Sequence, residues 1–198
     1  MSRRSLTIAL WALVAMVAGL AGGWVYLIEP RMTQTVADTL GRGDYDLVMT
    51  DGGRFTEDTL EDGPSAVFFG FTHCPEICPA TLGDVMVWQD MLAEEGGTPI
   101  PVYFVTVDPE RDTPEVLTDY VSWAPGVTGV SGSAEEIDKA IQAFRVYSQR
   151  IPLEGGDYTM DHSAFVLLFD ENGRFDQTIS YGEPPERAVQ KIRRIGSG

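Results

Sequence analysis

"SAVFFGFTHCPEICPATL", residues 65–82, is the stretch on which the reading of this chain turns. Residues 65–71 form a continuous apolar run, the pattern of a strand buried on both faces. Cys74 and Cys78 follow, the chain's two cysteines, each with a proline after it. A helix is predicted after the second cysteine, because Leu82, Val85, Met86, Gln89 and Leu92 recur at helical spacing with only Gln89 polar. Both thiols therefore stand where a buried strand hands over to its helix. In open α/β sheets ligands collect at that end of the strands.

Working outward, "YDLVMTDGGRF" (45–55) places two short strand-like runs around Asp51-Gly52-Gly53, a hairpin signal. "IPVYFVTVD" (100–108) reads as a second buried strand. Thr113-Pro114-Glu115 supplies a helix cap, a first-turn proline and an acidic residue, with Leu117, Tyr120 and Val121 turned inward. Ser133 and Glu136 make a capping box ahead of Ile137, Ala140, Ile141 and Phe144. "AFVLLFD" (164–170), the turn "ENGR" and "FDQTISYG" predict a hairpin, and Pro185 opens a last helix with Ala188, Val189 and Ile192 on one side. Strand, helix, strand, helix, hairpin, helix is an α/β plan with a central sheet flanked by helices. It is the arrangement of thioredoxin-like domains.

The N-terminus has a different character. Ser5 to Ile28 is 24 residues without a charge, following Arg3 and Arg4. As a helix it would run ~36 Å, enough to cross a hydrocarbon core of ~30 Å. The run is longer than the apolar core of a signal peptide, so a retained anchor is preferred to a cleaved leader ending near Gly19-Leu20-Ala21. The arginines ahead of it and acidic sequence beyond it put the N-terminus in the cytoplasm and the remainder in the bacterial periplasm. We therefore expect an anchor over 1–28, a polar tether over 29–43 and one domain over 44–198. The net charge of −16 speaks against a nucleic-acid partner, because phosphate binding needs a basic face.

Three chemistries compete for the cysteines. A structural disulfide four residues apart closes a loop too small to stabilise much, since that stabilisation grows with loop length. A dithiol redox pair is favoured by the helix N-terminus, which lowers thiol pKa, although C-x-x-x-C spacing holds the sulfurs farther apart than C-x-x-C. A metal site requires another ligand, and the chain has two histidines, His73 and His162. His73 adjoins Cys74, and neighbours on an extended segment point to opposite sides. It is therefore read as a non-ligand. His162, in a loop just before a buried strand, is read as the third ligand. Two thiolates and an imidazole favour Cu(I), and the imidazole also accommodates Cu(II).

Three motifs carry a resemblance: "FGFTHCPEICPATL" (69–82), "FVTVDPERDTPE" (104–115) and "YTMDHSAFVLLFD" (158–170). In that order and spacing the chain resembles the Sco/SenC copper chaperones of cytochrome c oxidase assembly, over most of residues 44–195. The resemblance implies an N-terminal anchor, a thioredoxin-like domain, and copper ligation by Cys74, Cys78 and His162. It also implies receipt of copper from an upstream donor and delivery to the CuA centre of oxidase subunit II, or reduction of that subunit's cysteines. A thiol–disulfide oxidoreductase and a copper-linked redox sensor are the alternatives to a carrier. Asp108 matches the first residue of the family's D-P-E-R-D-T-P motif and is a candidate to orient the site or meet the partner. Otherwise it only stops the strand, as Asp112-Thr113-Pro114 starts the helix. Asp161 is a candidate acceptor for the second ring nitrogen of His162, or a solvated neighbour. Met160 is a possible soft ligand or a packing residue.

Overall fold

Residues 3–27 and 35–196 are described by the computed structural model, and the chain divides into two units after Val36. In the first, α1 (Arg3–Leu27) contains the window Thr7–Trp24, of mean hydropathy 1.8, which by length and composition is sufficient to cross a bilayer. Ile28 and positions 29–34 of the expected tether lie outside the described residues. The second unit begins at Ala37, inside α2 (Val36–Thr39), which leads to Leu40, buried in a core.

The second unit is built on a seven-stranded sheet of order β2-β1-β5-β4-β3-β8-β9. Its strands are β1 (Leu47–Met49), β2 (Arg54–Phe55), β3 (Ser65–Gly70), β4 (Val102–Thr106), β5 (Val127–Ser131), β8 (Phe165–Phe169) and β9 (Phe175–Ser180). β3, β4 and β5 run parallel, while β1 and β8 pair antiparallel to β5 and β3 on either side. β3 is buried at all six positions, which is why its sequence shows no polar alternation. Its residues divide by parity between two cores. Ala66 and Phe68 meet α3 (Ile77–Glu94), α4 (Pro114–Val121) and α6 (Pro185–Ile195) through Leu82, Leu117 and Ile192. Val67 and Phe69 meet α5 (Ala134–Ala143) through Ile137 and Ala140. The expected α/β domain, with a central sheet flanked by helices, is thus the observed one.

Local chemistry explains most boundaries. Thr113 caps α4 by accepting from the Val116 N–H, with Pro114 in the first turn. The turn between β1 and β2 sets Gly52 at φ +88°, a backbone that side chains rarely adopt. The box before α5 forms only by half. Ser133 accepts from the Glu136 N–H, but the Glu136 carboxylate is drawn to the Asp46 N–H at 2.7 Å and to Lys139. The elements beyond the sequence expectation are α2, β5, a 3-10 turn at Glu57–Glu61, and a separate two-stranded hairpin, β6 (Ser148–Pro152) with β7 (Tyr158–His162).

Candidate metal centre

β3 ends at Gly70, and the chain turns through Phe71–Cys74, closed by the Cys74 N–H on the Phe71 carbonyl at 3.2 Å. The helix starts earlier than expected, at Ile77, so Cys78 lies inside its first turn rather than ahead of it. First-turn N–H groups have no acceptor within the helix. Glu76, at the cap position, makes no side-chain cap bond, whereas the Cys78 N–H donates to Cys74 Sγ at 3.3 Å. A sulfur therefore caps the helix, where partial positive charge favours thiolate.

Gly70 makes room for the second sulfur. A Cβ there would stand 2.8 Å from Cys78 Sγ and 2.6 Å from the Phe104 ring. Cys78 is fully buried and Cys74 partly exposed.

His162 closes β7 rather than lying in a loop, and it faces this corner from the hairpin. Its Nδ1 is 2.9 Å from the Ser163 carbonyl, which can only accept, so Nδ1 carries the proton and Nε2 is left bare. Nε2 stands 3.7 Å from Cys78 Sγ. The Phe71 ring packs edge-on against the imidazole at 5.7 Å and 89°. The ligand atoms of Cys74, Cys78 and His162 all lie within 4.8 Å of one another. Cys74 and His162 border a cavity of about 230 Å³ shared with Pro75, Glu76 and Met160, with Cys78 buried behind them.

The two thiols are electrostatically unlike. The Cys74 thiol is pulled down from 9.0 to about 4, chiefly by a hydrogen bond from the Cys78 thiol, with further help from the Cys78 N–H. The Cys78 thiol is pushed up by that same donation and by burial. In effect the pair shares one proton, which a cation bound between the sulfurs would displace. A soft donor set with a bare imidazole nitrogen pointing at it suits a soft metal ion.

The remaining candidates fall into place around this centre. His73 is exposed, its Nδ1 3.1 Å from Thr72 Oγ1. Asp161 is also exposed, and as the neighbour of His162 on a strand it lies on the opposite face. The acceptor at His162 Nδ1 is thus the Ser163 carbonyl, not the Asp161 carboxylate. Met160 packs against the second core. Asp108 is buried, accepting from Arg111 Nε at 2.5 Å and from the Tyr158 hydroxyl at 2.8 Å, so it grips the hairpin that carries His162.

Asp112 does more than start a helix. Fully buried, it accepts from the Thr72 N–H at 3.0 Å and the Thr72 hydroxyl at 2.5 Å, and from the Thr106 hydroxyl at 2.6 Å. The cysteine turn is tied to the end of β4 through this one carboxylate. Neither that role nor the part of Tyr158 was foreseen. The signal for Asp112 is its place in the same D-P-E-R-D-T-P motif, and that for Tyr158 is its place at the start of the motif "YTMDHSAFVLLFD".

Comparison with known proteins agrees with this geometry. The profile of the SCO1/SenC family matches residues 33–197. The mitochondrial protein SCO1 of Saccharomyces cerevisiae is 35% identical over 153 residues, 76% of this chain and 52% of the yeast protein. A SCO2-like protein of Rickettsia prowazekii is 38% identical over 136 residues, 67% of this chain and 66% of the relative. The chain thus spans about half to two-thirds of the length of these two relatives. Among solved structures, Bradyrhizobium japonicum ScoI with copper bound aligns with a TM-score of 0.67 at 36% identity, covering 78% of this chain and 99% of that one. Yeast Sco1 with copper bound aligns with a TM-score of 0.72 at 34% identity, covering 79% and 87%. With its three motifs converging on one corner of a shared fold, and a family profile spanning nearly the whole second unit, this chain belongs to the SCO1/SenC family.

Proposed function

We propose that this protein is a membrane-anchored copper carrier that serves the assembly of cytochrome c oxidase. In this reading residues 1–28 anchor it in the bacterial inner membrane, a short tether follows, and the domain works in the periplasm. The observation that carries the reading is the convergence of two sulfurs and one bare imidazole nitrogen within 4.8 Å. Cys74 and Cys78 would hold Cu(I), and His162 Nε2 would complete a set that also accepts Cu(II). Copper is cargo here, taken from an upstream donor and passed to the CuA centre of subunit II. The copper-bound relatives support the metal, and their family's place in oxidase assembly supports the destination.

The test is the CuA content of oxidase in cells grown at low copper. Cys74→Ala and Cys78→Ala are expected to abolish maturation. His162→Ala leaves two thiolates, which hold Cu(I) in linear geometry but satisfy Cu(II) poorly. It is expected to lower CuA content and Cu(II) binding while sparing Cu(I) binding. Normal CuA content with His162→Ala would sink the carrier.

One observation favours a second reading. A Cys74 thiol held near 4 beside a buried partner thiol is also the pair of a dithiol reductase. There the Cys74 thiolate would attack a disulfide of subunit II, releasing one of its thiols. Cys78 would then displace the second, leaving a Cys74–Cys78 disulfide and a reduced partner. That activity requires both cysteines and survives His162→Ala.

A further inference from the structure

His162 reaches the metal centre on a hairpin that is not part of the seven-stranded sheet. Cavities flank it on two sides: the one of about 230 Å³ at the cysteine turn, and one of about 290 Å³ towards α5, lined in part by Ile137, Ser148 and Arg150. Beyond Met160, which packs against the second core, packing is therefore a weak guide to where the hairpin sits. Besides the His162–Cys78 contact and the Tyr147 hydroxyl on Gln149, its side-chain bonds to the rest of the domain converge on residues 108–111. The Tyr158 hydroxyl donates to buried Asp108, Arg111 Nη1 donates to the Tyr158 carbonyl at 3.0 Å, and Arg150 pairs with Glu110 at 2.7 Å. The Tyr158 ring also lies against two guanidiniums, Arg111 at 3.8 Å and Arg150 at 4.0 Å from its centroid. Both are close enough for cation–π attraction.

Tyr158 and His162 are the two ends of β7. Alternate residues of a strand share a face, so Tyr158, Met160 and His162 project to the same side. The ladder of His162 to Ser148, Met160 to Arg150 and Tyr158 to Pro152 makes the hairpin one semi-rigid piece. Fixing it at Tyr158 sets the height and the face of an imidazole ~13 Å further along the strand.

We propose that Tyr158, clamped by Asp108, Arg111 and Arg150, is a positioning residue for His162. The clamp holds the imidazole over the two sulfurs from the far end of β7. This rests on the copper reading, and extends it from the ligands to the group that delivers one of them.

The experiment uses the full chain in detergent, reduced and metal-free, with Tyr158→Phe, which keeps the ring and removes the hydroxyl. Two properties are read without copper: the nuclear Overhauser contact between the Phe71 and His162 rings, and hydrogen exchange at residues 158–162. Cu(II) and Cu(I) affinities are then measured by chelator competition. We expect a weakened ring contact, faster exchange in the hairpin with sheet amides unchanged, and ~10-fold weaker Cu(II) binding, the low end for outer partners of a ligand. Cu(I), held by the sulfurs, stays within about twofold. A purely structural role would move both affinities together. Asp108→Asn attacks the same bond from its buried end, and should it fail to fold, Tyr158→Phe decides alone. Wild-type ring contact, exchange and Cu(II) affinity in Tyr158→Phe would overturn the proposal. His162→Ala run in parallel separates the two ideas. If it leaves Cu(II) binding intact the copper reading fails, while the metal-free measurements still decide whether Tyr158 places His162.

Discussion

Gly70→Ala adds one methyl group at the point where the end of β3 meets the buried sulfur. The new Cβ would stand 2.6 and 2.9 Å from two atoms of the Phe104 ring and 2.8 Å from Cys78 Sγ. Ordinary contact begins near 3.4 Å, so the sulfur has to give at least about 0.6 Å and the ring more. Neither has free space, because Phe104 and Cys78 are both fully buried in the same core. Overpacking of this kind costs ~1–3 kcal/mol. For a domain of this size each kcal/mol lowers the melting temperature by ~2–4 °C. The expected result is a fall of ~2–12 °C, with weaker copper binding because the displaced sulfur is a ligand. Gly83→Ala is the matched control. It is in the middle of α3 with nothing within 4 Å of its Cβ, so there alanine should be neutral or stabilising by up to ~1 kcal/mol. Melting is followed by circular dichroism and copper by chelator competition. If Gly70→Ala melts and binds copper like the wild type, the claim that this glycine makes space for Cys78 is wrong.

Two further outcomes are expected. Asp112→Ala leaves the Thr72 N–H and the Thr106 hydroxyl without their buried acceptor, at ~1–3 kcal/mol each. Asp112→Asn, keeping one oxygen, should recover part of the loss in a denaturant titration, and an Asp112→Ala protein as stable as wild type breaks this account. Alkylation of Cys74 in the reduced, metal-free chain should stay nearly constant from pH 8 to pH 5, because its thiol is lowered from 9.0 to about 4. The unfolded chain, by contrast, should slow about tenfold per pH unit below 9. The sign for stability follows: the depressed thiol contributes in full above pH 9, and that contribution is lost as pH falls through about 4. A folded-state rate that drops tenfold between pH 7 and pH 6 would show that Cys78 and the helix end do not hold the thiolate.

What the sequence determined by itself is whatever depends on neighbours along the chain. A run of apolar residues makes β3, a threonine and a proline start α4, and two cysteines one turn apart meet at the head of α3. These follow from backbone preferences and hydrophobic periodicity, which act over a few residues. The motifs also singled out the three ligand candidates, although not how they are held. Tertiary structure alone decided the β6–β7 hairpin, whose polar strands carry little apolar pattern because they lie at the rim of the domain beside cavities. It also chose between rival polar partners that sequence distance cannot rank. Glu136 turns to Asp46, 90 positions away, rather than completing its box. Asp112 reaches back 40 positions to Thr72, and Tyr158 reaches 50 to Asp108. His162 takes the carbonyl of Ser163 and not the carboxylate of Asp161, because strand geometry sends adjacent side chains to opposite faces. Apart from the exposed bond of Glu136 to Asp46, each of these joins buried or half-buried groups that must find some partner, and which one they find depends on the packing of the sheet around them.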